Sequence, residues 1–238
     1  AMACPQRSLA QVQERVSAVH HSSSLSQQIC LYDDWAPEYE QDVRVLEYRA
    51  PQLAAACLAA AFSALPHEAV VLDVACGTGL VCQELQKWGF CRMHGMDGSM
   101  GMLERARRKG LYQELKQCIL GQEPLPAPTG HYDAVIIVGA LSVGQVPSSV
   151  IPELLRVTKP GGMVCLTTRY NMINLPYVAE LRAVLDGLEQ RGLWEKITVQ
   201  EADEWERATS ALASYSHRSS SAAGLSQCAR RGHEAVST

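Results

Sequence analysis

A glycine-rich turn is the segment of this sequence whose residue types and spacing could do chemistry. Residues 70–80 predict a buried strand, a tight turn at Gly77, Thr78 and Gly79, and the start of a helix. Glycine lets a backbone approach a ligand closely, and the first turn of a helix offers N–H donors that the helix itself leaves unpaired. The turn therefore predicts a binding site for a nucleotide-type cofactor.

Two aspartates and one missing glycine indicate which cofactor this is. Asp97 follows Gly79 by 18 residues, close to the ~20 typical of an acid that accepts hydrogen bonds from ribose hydroxyls. Cys82 stands where a dinucleotide-binding turn has its third glycine. Asp73, at the mouth of the turn, would repel a pyrophosphate, but it could hold an ammonium group directly or through water. These features favour S-adenosylmethionine over NAD, and they disfavour a small NAD-dependent oxidoreductase.

Five segments of the chain resemble, in order, the class I S-adenosylmethionine-dependent methyltransferases. Residues 32–39 are similar to the lid of the small-molecule branch, and residues 73–79 to its glycine motif. Residues 95–103 are similar to the segment with the ribose-binding acid, residues 131–137 to the fourth strand, and residues 155–162 to the turn before the fifth strand. Their common order is more specific than any one segment, and the resemblance extends over residues 28–200.

The resemblance implies a site for S-adenosylmethionine built from the glycine turn, the strand ends and the lid. Its residues would be Tyr32, Trp35, Tyr39, Asp73, Ala75, Cys76, Gly77, Thr78, Gly79, Asp97, Gly98, Met102, Gly121, Gln122, Val138 and Gly139. Gly77 and Gly79 would line the methionine part of the cofactor and Asp97 would bind its ribose. Met102 would flank the adenine, and Tyr39 would close over the cofactor.

The same resemblance assigns two further pairs of residues. Gly121 and Gln122 would lie at the adenine edge, and Val138 and Gly139 would lie under the cofactor. Ordinary packing is the alternative for the three aromatic residues of the lid, and a core position is the alternative for Met102.

The elements that must position these residues follow from hydrophobic periodicity. From residue 69 onward, short apolar runs alternate with helical stretches, which is typical of a parallel sheet with crossover helices. We predict strands at 70–74, 92–96, 115–120, 134–138, 163–167 and 197–200, and helices at 81–88, 99–108, 150–158 and 176–190. The predicted fold is α/β, a Rossmann-like, doubly wound, mostly parallel sheet with N-terminal lid helices.

Three regions divide the chain. Residues 1–66 predict helices, at 9–19, 26–39 and 45–64, that form a lid over the cofactor, and residues 67–213 predict the methyltransferase core. Residues 214–238 are rich in Ser, Ala, Gly and Arg, so we expect a disordered tail. The sheet of this family ends with an antiparallel seventh strand beside the sixth. That seventh strand is doubtful in this chain: either residues 211–215 form a poor version of the strand, or the sheet has a shorter edge.

Composition excludes several classes of function. The chain has 238 residues, 47% of them hydrophobic, with a net charge of -4, which argues against a nucleic-acid partner. The longest uncharged apolar segment, residues 50–66, is too short and too alanine-rich to span a membrane. The nine cysteines include no Cys-x-x-Cys pair, so we expect reduced, mostly buried thiols and no metal site. The first ten residues show no secretory signal, so we expect an intracellular, cytoplasmic monomer.

The predicted activity is direct methyl transfer from S-adenosylmethionine to an unidentified small molecule. A sulfonium donor is already activated, so positioning and desolvation can supply much of the rate, and the sequence indicates no catalytic acid or base. Residues 139–142 lack the Asn/Asp-Pro-Pro-aromatic run of amide and adenine N-methyltransferases, and no Pro-Cys pair follows the fourth strand as in cytosine C5 enzymes. The alternative is a protein that binds S-adenosylmethionine without turnover and acts through a partner.

Overall fold

The structure is a computed structural model that describes residues 7–22, 24–207 and 221–233, with the backbone alone at 203, 204, 221 and 222. Its first four helices are α1 (Leu9–His20), α2 (Leu25–Trp35), α3 (Tyr39–Val45) and α4 (Ala50–Ala61). The later helices are α5 (Leu80–Lys87), α6 (Met100–Arg108), α7 (Ile151–Val157), which follows a 3-10 turn at Ser148–Val150, and α8 (Leu175–Gln190). None of the described helices is both long and apolar enough to cross a membrane.

The N-terminal helices pack around their own small core. Ser8 caps α1 by accepting a hydrogen bond from the backbone N–H of Gln11, and the predicted stripe of valines on α1 is buried. Two of the predicted N-terminal helices have different bounds in the structure, and a separate helix, α3, lies between them. The helix predicted at 26–39 stops at Trp35, just before Pro37, and the one predicted at 45–64 begins only at Ala50, after a left-handed residue at position 47.

All six predicted strands are present, together with the four predicted helices between them. The strands are β1 (Val70–Val74), β2 (Arg92–Asp97), β3 (Glu114–Gln117), β4 (Tyr132–Leu141), β5 (Thr158–Tyr170), β6 (Trp194–Arg207) and β7 (Ser221–Arg231). They form a sheet ordered β3-β2-β1-β4-β5-β7-β6, in which β1 to β5 are parallel. The order reverses between β1 and β4, which is where ligands of such sheets bind. The predicted fold class is confirmed.

Side chains that alternate along the central strands serve two cores, one on each face of the sheet. Leu72 and Val135 pack into one core, and Val71 and Ile136 pack into the other. Because helices cover both faces, these strands are apolar on both sides, which explains their continuous hydrophobic runs.

The end of the sheet corrects the prediction of a disordered tail and a doubtful seventh strand. Residues 221–231 form β7, which lies between β5 and β6 and is antiparallel to both. Its polar Ser226 and Gln227 are buried because the strand is covered on both faces, so no apolar alternation marks it. Gly224 leaves room for the indole of Trp205, which a Cβ at position 224 would overlap. The core therefore extends beyond residue 213; residues 211–220 and 234–238 lie outside the described part.

Candidate functional site

The glycine turn leaves β1 in a left-handed conformation at three positions. Ala75, Gly77 and Gly79 have φ angles of 55, 53 and 90°. A left-handed conformation costs a non-glycine residue ~1–2 kcal/mol, so Ala75 stores strain at the mouth of the turn. The backbone N–H of Cys76 donates to the carbonyl of Met96 at 2.9 Å, which ties the turn to β2.

Asp97 joins the glycine turn to the segment that follows β2. Its Oδ2 accepts a hydrogen bond from the backbone N–H of Gly77 at 2.8 Å, and its Oδ1 accepts one from the backbone N–H of Ser99 at 2.9 Å. Burial raises the pKa of Asp97 above its usual range, and these backbone donors oppose that shift. The carboxylate therefore faces the space between the carboxyl ends of β1 and β2, with lone pairs left for a ligand.

A cavity of about 130 Å³ lies at these strand ends, under α2. Nine residues predicted from the sequence lie on its wall: Tyr32, Tyr39, Ala75, Gly77, Asp97, Gly98, Met102, Val138 and Gly139. A smaller cavity of about 40 Å³, bordered by Cys76 and Thr78, shares Tyr39, Gly77 and Val138 with the first. The predicted residues from the turn, β2, β4 and the lid thus meet around one space.

Five predicted residues line neither cavity: Trp35, Asp73, Gly79, Gly121 and Gln122. Gly121 and Gln122 come directly after residues 118–120, which form the wall instead. Gly79 faces Tyr112. Trp35 is buried in the N-terminal core, where its Nε1–H donates to Oδ2 of Asp42 at 2.8 Å. Its ring packs against Tyr32 and Tyr39, so Trp35 orients two tyrosines of the wall.

Asp73 is also buried away from the cavities. Its Oδ2 accepts a hydrogen bond from the hydroxyl of Tyr112 at 2.7 Å, and its Oδ1 has no hydrogen-bond partner among the described residues. Burial raises the pKa of Asp73 to about 7, although the bond from Tyr112 opposes the rise. The predicted contact between Asp73 and an ammonium group would therefore need a bridging water or a shift of the turn. The contact stays a prediction.

Replacing Asp73 with asparagine should flatten the pH dependence of the free energy of unfolding. Because the folded-state pKa is above the unfolded value near 3.8, this carboxyl contributes stability that is present below pH 3.8 and is lost as the pH rises through about 7. Asparagine stays neutral and keeps an oxygen for Tyr112. The stability of the variant relative to the wild type should therefore rise by about 2–3 kcal/mol between pH 5 and pH 8 in urea unfolding. Parallel curves would refute this, and Asp34→Asn, at an exposed carboxyl, is the control.

Tyr48 is a site residue that the sequence did not reveal. It lies between α3 and α4, and its hydroxyl occupies the place that a Cβ on Gly139 would take. Burial raises the pKa of Tyr48, and the charge of Glu206 raises it further, so the phenol is neutral. No motif contains this tyrosine, and only the packed structure brings it to the end of β4.

Comparison with known proteins decides the family. The chain is 58% identical to Methyltransferase-like protein 27 of Homo sapiens over 196 residues, which are 82% of this chain and 80% of that protein. The chain belongs to the S-adenosylmethionine-dependent methyltransferases. Residues 71–162 match the family model described as a methyltransferase domain. S-adenosylmethionine is the cofactor of this family, as predicted.

More distant relatives of this methyltransferase agree. The demethylmenaquinone methyltransferase of Renibacterium salmoninarum is 32% identical over 132 residues, which are 56% of this chain and about half, 54%, of that protein. The same fold occurs in a solved structure, the complex between the Haloferax volcanii Trm112 methyltransferase activator and a methyltransferase. The TM-score is 0.64 at 16% sequence identity, and the match covers 87% of this chain and 98% of that chain.

The wall of the cavity carries groups of the kind that the cofactor of the methyltransferase family needs. Asp97 is a carboxylate that could accept hydrogen bonds from hydroxyl groups, and Ile29, Met102 and Leu120 have apolar side chains that could pack on a purine. Gly139, with a φ of 71°, lets the hydroxyl of Tyr48 approach the end of β4, where any Cβ would overlap it.

Three buried cysteines of this methyltransferase form a group that their sequence spacing does not show. The Sγ atoms of Cys57, Cys165 and Cys228 lie within 4.8 Å of one another, between α4, β5 and β7. They pack in the same core as Trp205 and line none of the cavities above. Six of the eight cysteines in the described part of the chain are buried, as predicted, and all eight are free.

Proposed function

We propose that this protein transfers the methyl group of S-adenosylmethionine to a small-molecule acceptor. The observation that carries the proposal is a second, inner pocket of about 40 Å³ behind Gly139. Gly139, Tyr39 and Tyr48 border both this pocket and the cofactor cavity. A space of this size at the end of β4 can take a small nucleophile, whereas a folded protein domain or a duplex cannot enter it.

The residues around the two spaces suggest how each contributes. When bound, S-adenosylmethionine supplies an activated methyl group, which the lone pair of the acceptor takes while the C–S electron pair returns to sulfur. Asp97 would bind the ribose and Met102 would flank the adenine. Gly139 would let the acceptor approach, and Tyr39 and Tyr48 would exclude water from the reacting atoms. A proton lost by the acceptor would leave toward the inner pocket, where Glu206 lies.

Binding and turnover measurements test this function. We expect S-adenosylmethionine and S-adenosylhomocysteine to bind in isothermal titration, and we expect S-adenosylhomocysteine to form with at least one member of a panel of small metabolites. Tight binding of the cofactor with no turnover on any acceptor would favour the alternative of a binding protein that acts through a partner. Saturable fluorescence enhancement of NADH would revive the oxidoreductase alternative.

We further propose that the N-terminal helices act as a lid, because α2 is fastened on both sides of the cavity. On one side, Oδ1 of Asp33 accepts hydrogen bonds from Oγ of Ser99 at 2.6 Å and from the backbone N–H of Gly101 at 2.8 Å. On the other side, Nε2 of Gln28 donates to the carbonyl of Gly144 at 2.7 Å, and the hydroxyl of Tyr32 donates to Gln145 at 3.2 Å. A lid movement that admits the cofactor would break these bonds.

Addition of S-adenosylhomocysteine should slow hydrogen exchange in α2 and around Trp35. The ligand would fill the space beneath these residues and raise the free energy of opening, so we expect at least a tenfold gain in protection by mass spectrometry. Amides of α8, which does not line the cofactor cavity, serve as the internal control. Equal exchange in α2 with and without the ligand would count against the lid.

A further inference from the structure

A fourth cavity lies on the far side of the inner pocket. It measures about 460 Å³ and lies between α1, the loop after β4 and the segment that links β5 to α8. Its described wall contains no acidic side chain and several polar ones: Ser17, His20, Ser142, Arg169, Asn171 and Asn174. We call it the outer pocket.

The outer pocket adjoins the inner pocket, which in turn adjoins the cofactor cavity. His20 and Arg169 border both the outer and the inner pocket. Gly139, Tyr32 and Tyr48 border both the inner pocket and the cofactor cavity. An acceptor that enters from outside would therefore place one end beside His20 and Arg169 and the other beside Gly139.

Arg169 is held in one position by buried partners. Its Nη2 lies 3.2 Å from Oε1 of Glu206, and its Nη1 lies 3.0 Å from Nε2 of His20. The side chain of Arg169 is 17% exposed and that of Glu206 is 5% exposed. A guanidinium has five N–H donors, and among the described residues only Glu206 and His20 accept from this one, so donors remain for a ligand.

His20 is uncharged beside this cation. Burial, and then the positive charge of Arg169, lower the pKa of His20 to about 3, so the imidazole is neutral at physiological pH. Its Nε2 can then accept a hydrogen bond from Arg169. The cation at the junction of the two pockets is thus Arg169, and its counterion Glu206 borders the inner pocket and not the outer one.

Ser142 provides an independent sign that the outer pocket takes a ligand. Its side chain is 4% exposed, and its Oγ has no hydrogen-bond partner among the described residues. A buried hydroxyl without a partner is costly and uncommon. Ser142 lies on the wall of the outer pocket with Arg169, so one polar ligand group could satisfy both.

We propose that the outer pocket binds a carboxylate of the methyl acceptor through Arg169 and Ser142, so that the acceptor is a small carboxylic acid. The proposal rests on the proposed methyl transfer, because it assigns that reaction its substrate class. The planar fork of a guanidinium matches a carboxylate in a bidentate pair. A phosphate dianion is less suitable, since the single cation here is already paired with Glu206.

Benzoate and benzamide, which have the same shape and differ in charge, test the proposal. The protein is first saturated with S-adenosylhomocysteine and then titrated with each compound, with amide chemical shifts recorded by NMR. We expect benzoate to bind at residues around Ser142 and Arg169 at least tenfold more tightly than benzamide. Equal affinities, or stronger binding of inorganic phosphate than of benzoate at these residues, would overturn the proposal.

Variants distinguish a bound carboxylate from a structural effect. Arg169→Gln alone would leave Glu206 buried and unpaired, so the decisive variant is Arg169→Gln with Glu206→Gln, which removes the cation and its counterion together. Its affinity for benzoate should fall at least tenfold while its affinity for S-adenosylhomocysteine stays within threefold. Arg182→Gln, at an exposed arginine of α8, is the matched control and should change neither.

Each result separates the carboxylate site from the proposed function. Unchanged benzoate binding in the double variant would refute the carboxylate site and leave methyl transfer standing. Failure of the wild-type protein to bind S-adenosylhomocysteine in the first step would refute the proposed function itself, since no acceptor would then be needed.

Discussion

Replacement of Gly139 by alanine should lower the affinity for S-adenosylmethionine by at least about 2 kcal/mol. The φ of 71° costs any other residue here ~1–2 kcal/mol of folding free energy, with or without the cofactor, so the loss of affinity must come from the displaced phenol. The new Cβ would also overlap the hydroxyl of Tyr48, so the phenol must move into one of the two spaces that Gly139 separates. The backbone N–H of Gly139 donates to Oγ1 of the buried Thr167, which prevents the strand from retreating. Isothermal titration of the cofactor measures the loss.

A second substitution separates the overlap from the backbone strain. In Gly139→Ala with Tyr48→Phe, the nearest remaining atom of residue 48 is Cζ, at 3.3 Å from the new Cβ, so part of the affinity should return. Gly187→Ala is the matched control, because a Cβ at that position of α8 meets nothing within 4 Å. It should leave binding unchanged and raise the stability by up to about 1 kcal/mol. Wild-type affinity in the Gly139→Ala variant would contradict the placement of the cofactor beside β4.

The cofactor half of the site could be predicted because it depends on neighbouring parallel strands. β1 and β2 pair in register from Val70 with Arg92 to Val74 with Met96, so the residues that follow them must meet at one edge. The pairing of these two strands is enough to bring Gly77 beside Asp97, and it does not depend on how the other elements pack. Gly121 and Gln122, which we predicted at the adenine edge, lie just beyond the cavity wall that residues 118–120 form, because the chain turns at Leu120, which bridges to Glu123. Residue types alone do not determine the local shape of such a turn.

The proposed acceptor-binding residues could not be predicted from the sequence, because contacts between distant parts of the chain bring them together. Arg169 reaches His20 across 149 positions of the chain and Glu206 across 37. No spacing rule relates a helix near the amino terminus to the end of β5 and a residue of β6. β7 was missed for a related reason: a strand enclosed by two neighbours can be built from small and polar residues, because its hydrogen bonds are satisfied on both sides.

Replacement of Asp97 by alanine should weaken binding of S-adenosylmethionine by about 1.5–3 kcal/mol, roughly a tenfold to hundredfold rise in Kd. Charge-assisted hydrogen bonds to ribose hydroxyls would be lost. The backbone N–H groups of Gly77 and Ser99 would also lose their acceptor, so the glycine turn would no longer be tied to β2 through this side chain. Both effects act on the same affinity, which isothermal titration reports at constant pH.

The conservative variant Asp97→Asn sharpens the test. Asparagine keeps the shape but has one acceptor oxygen, so it can accept from Gly77 or from Ser99, and its NH₂ group must face the other N–H. We therefore expect Asp97→Asn to lose at least half of the binding free energy that Asp97→Ala loses. A shape-filling role would predict full recovery in the asparagine variant, and unchanged affinity in both variants would refute the ribose assignment. Asp34→Ala removes an exposed carboxylate of α2 and should bind as the wild type does, which excludes a general effect of net charge.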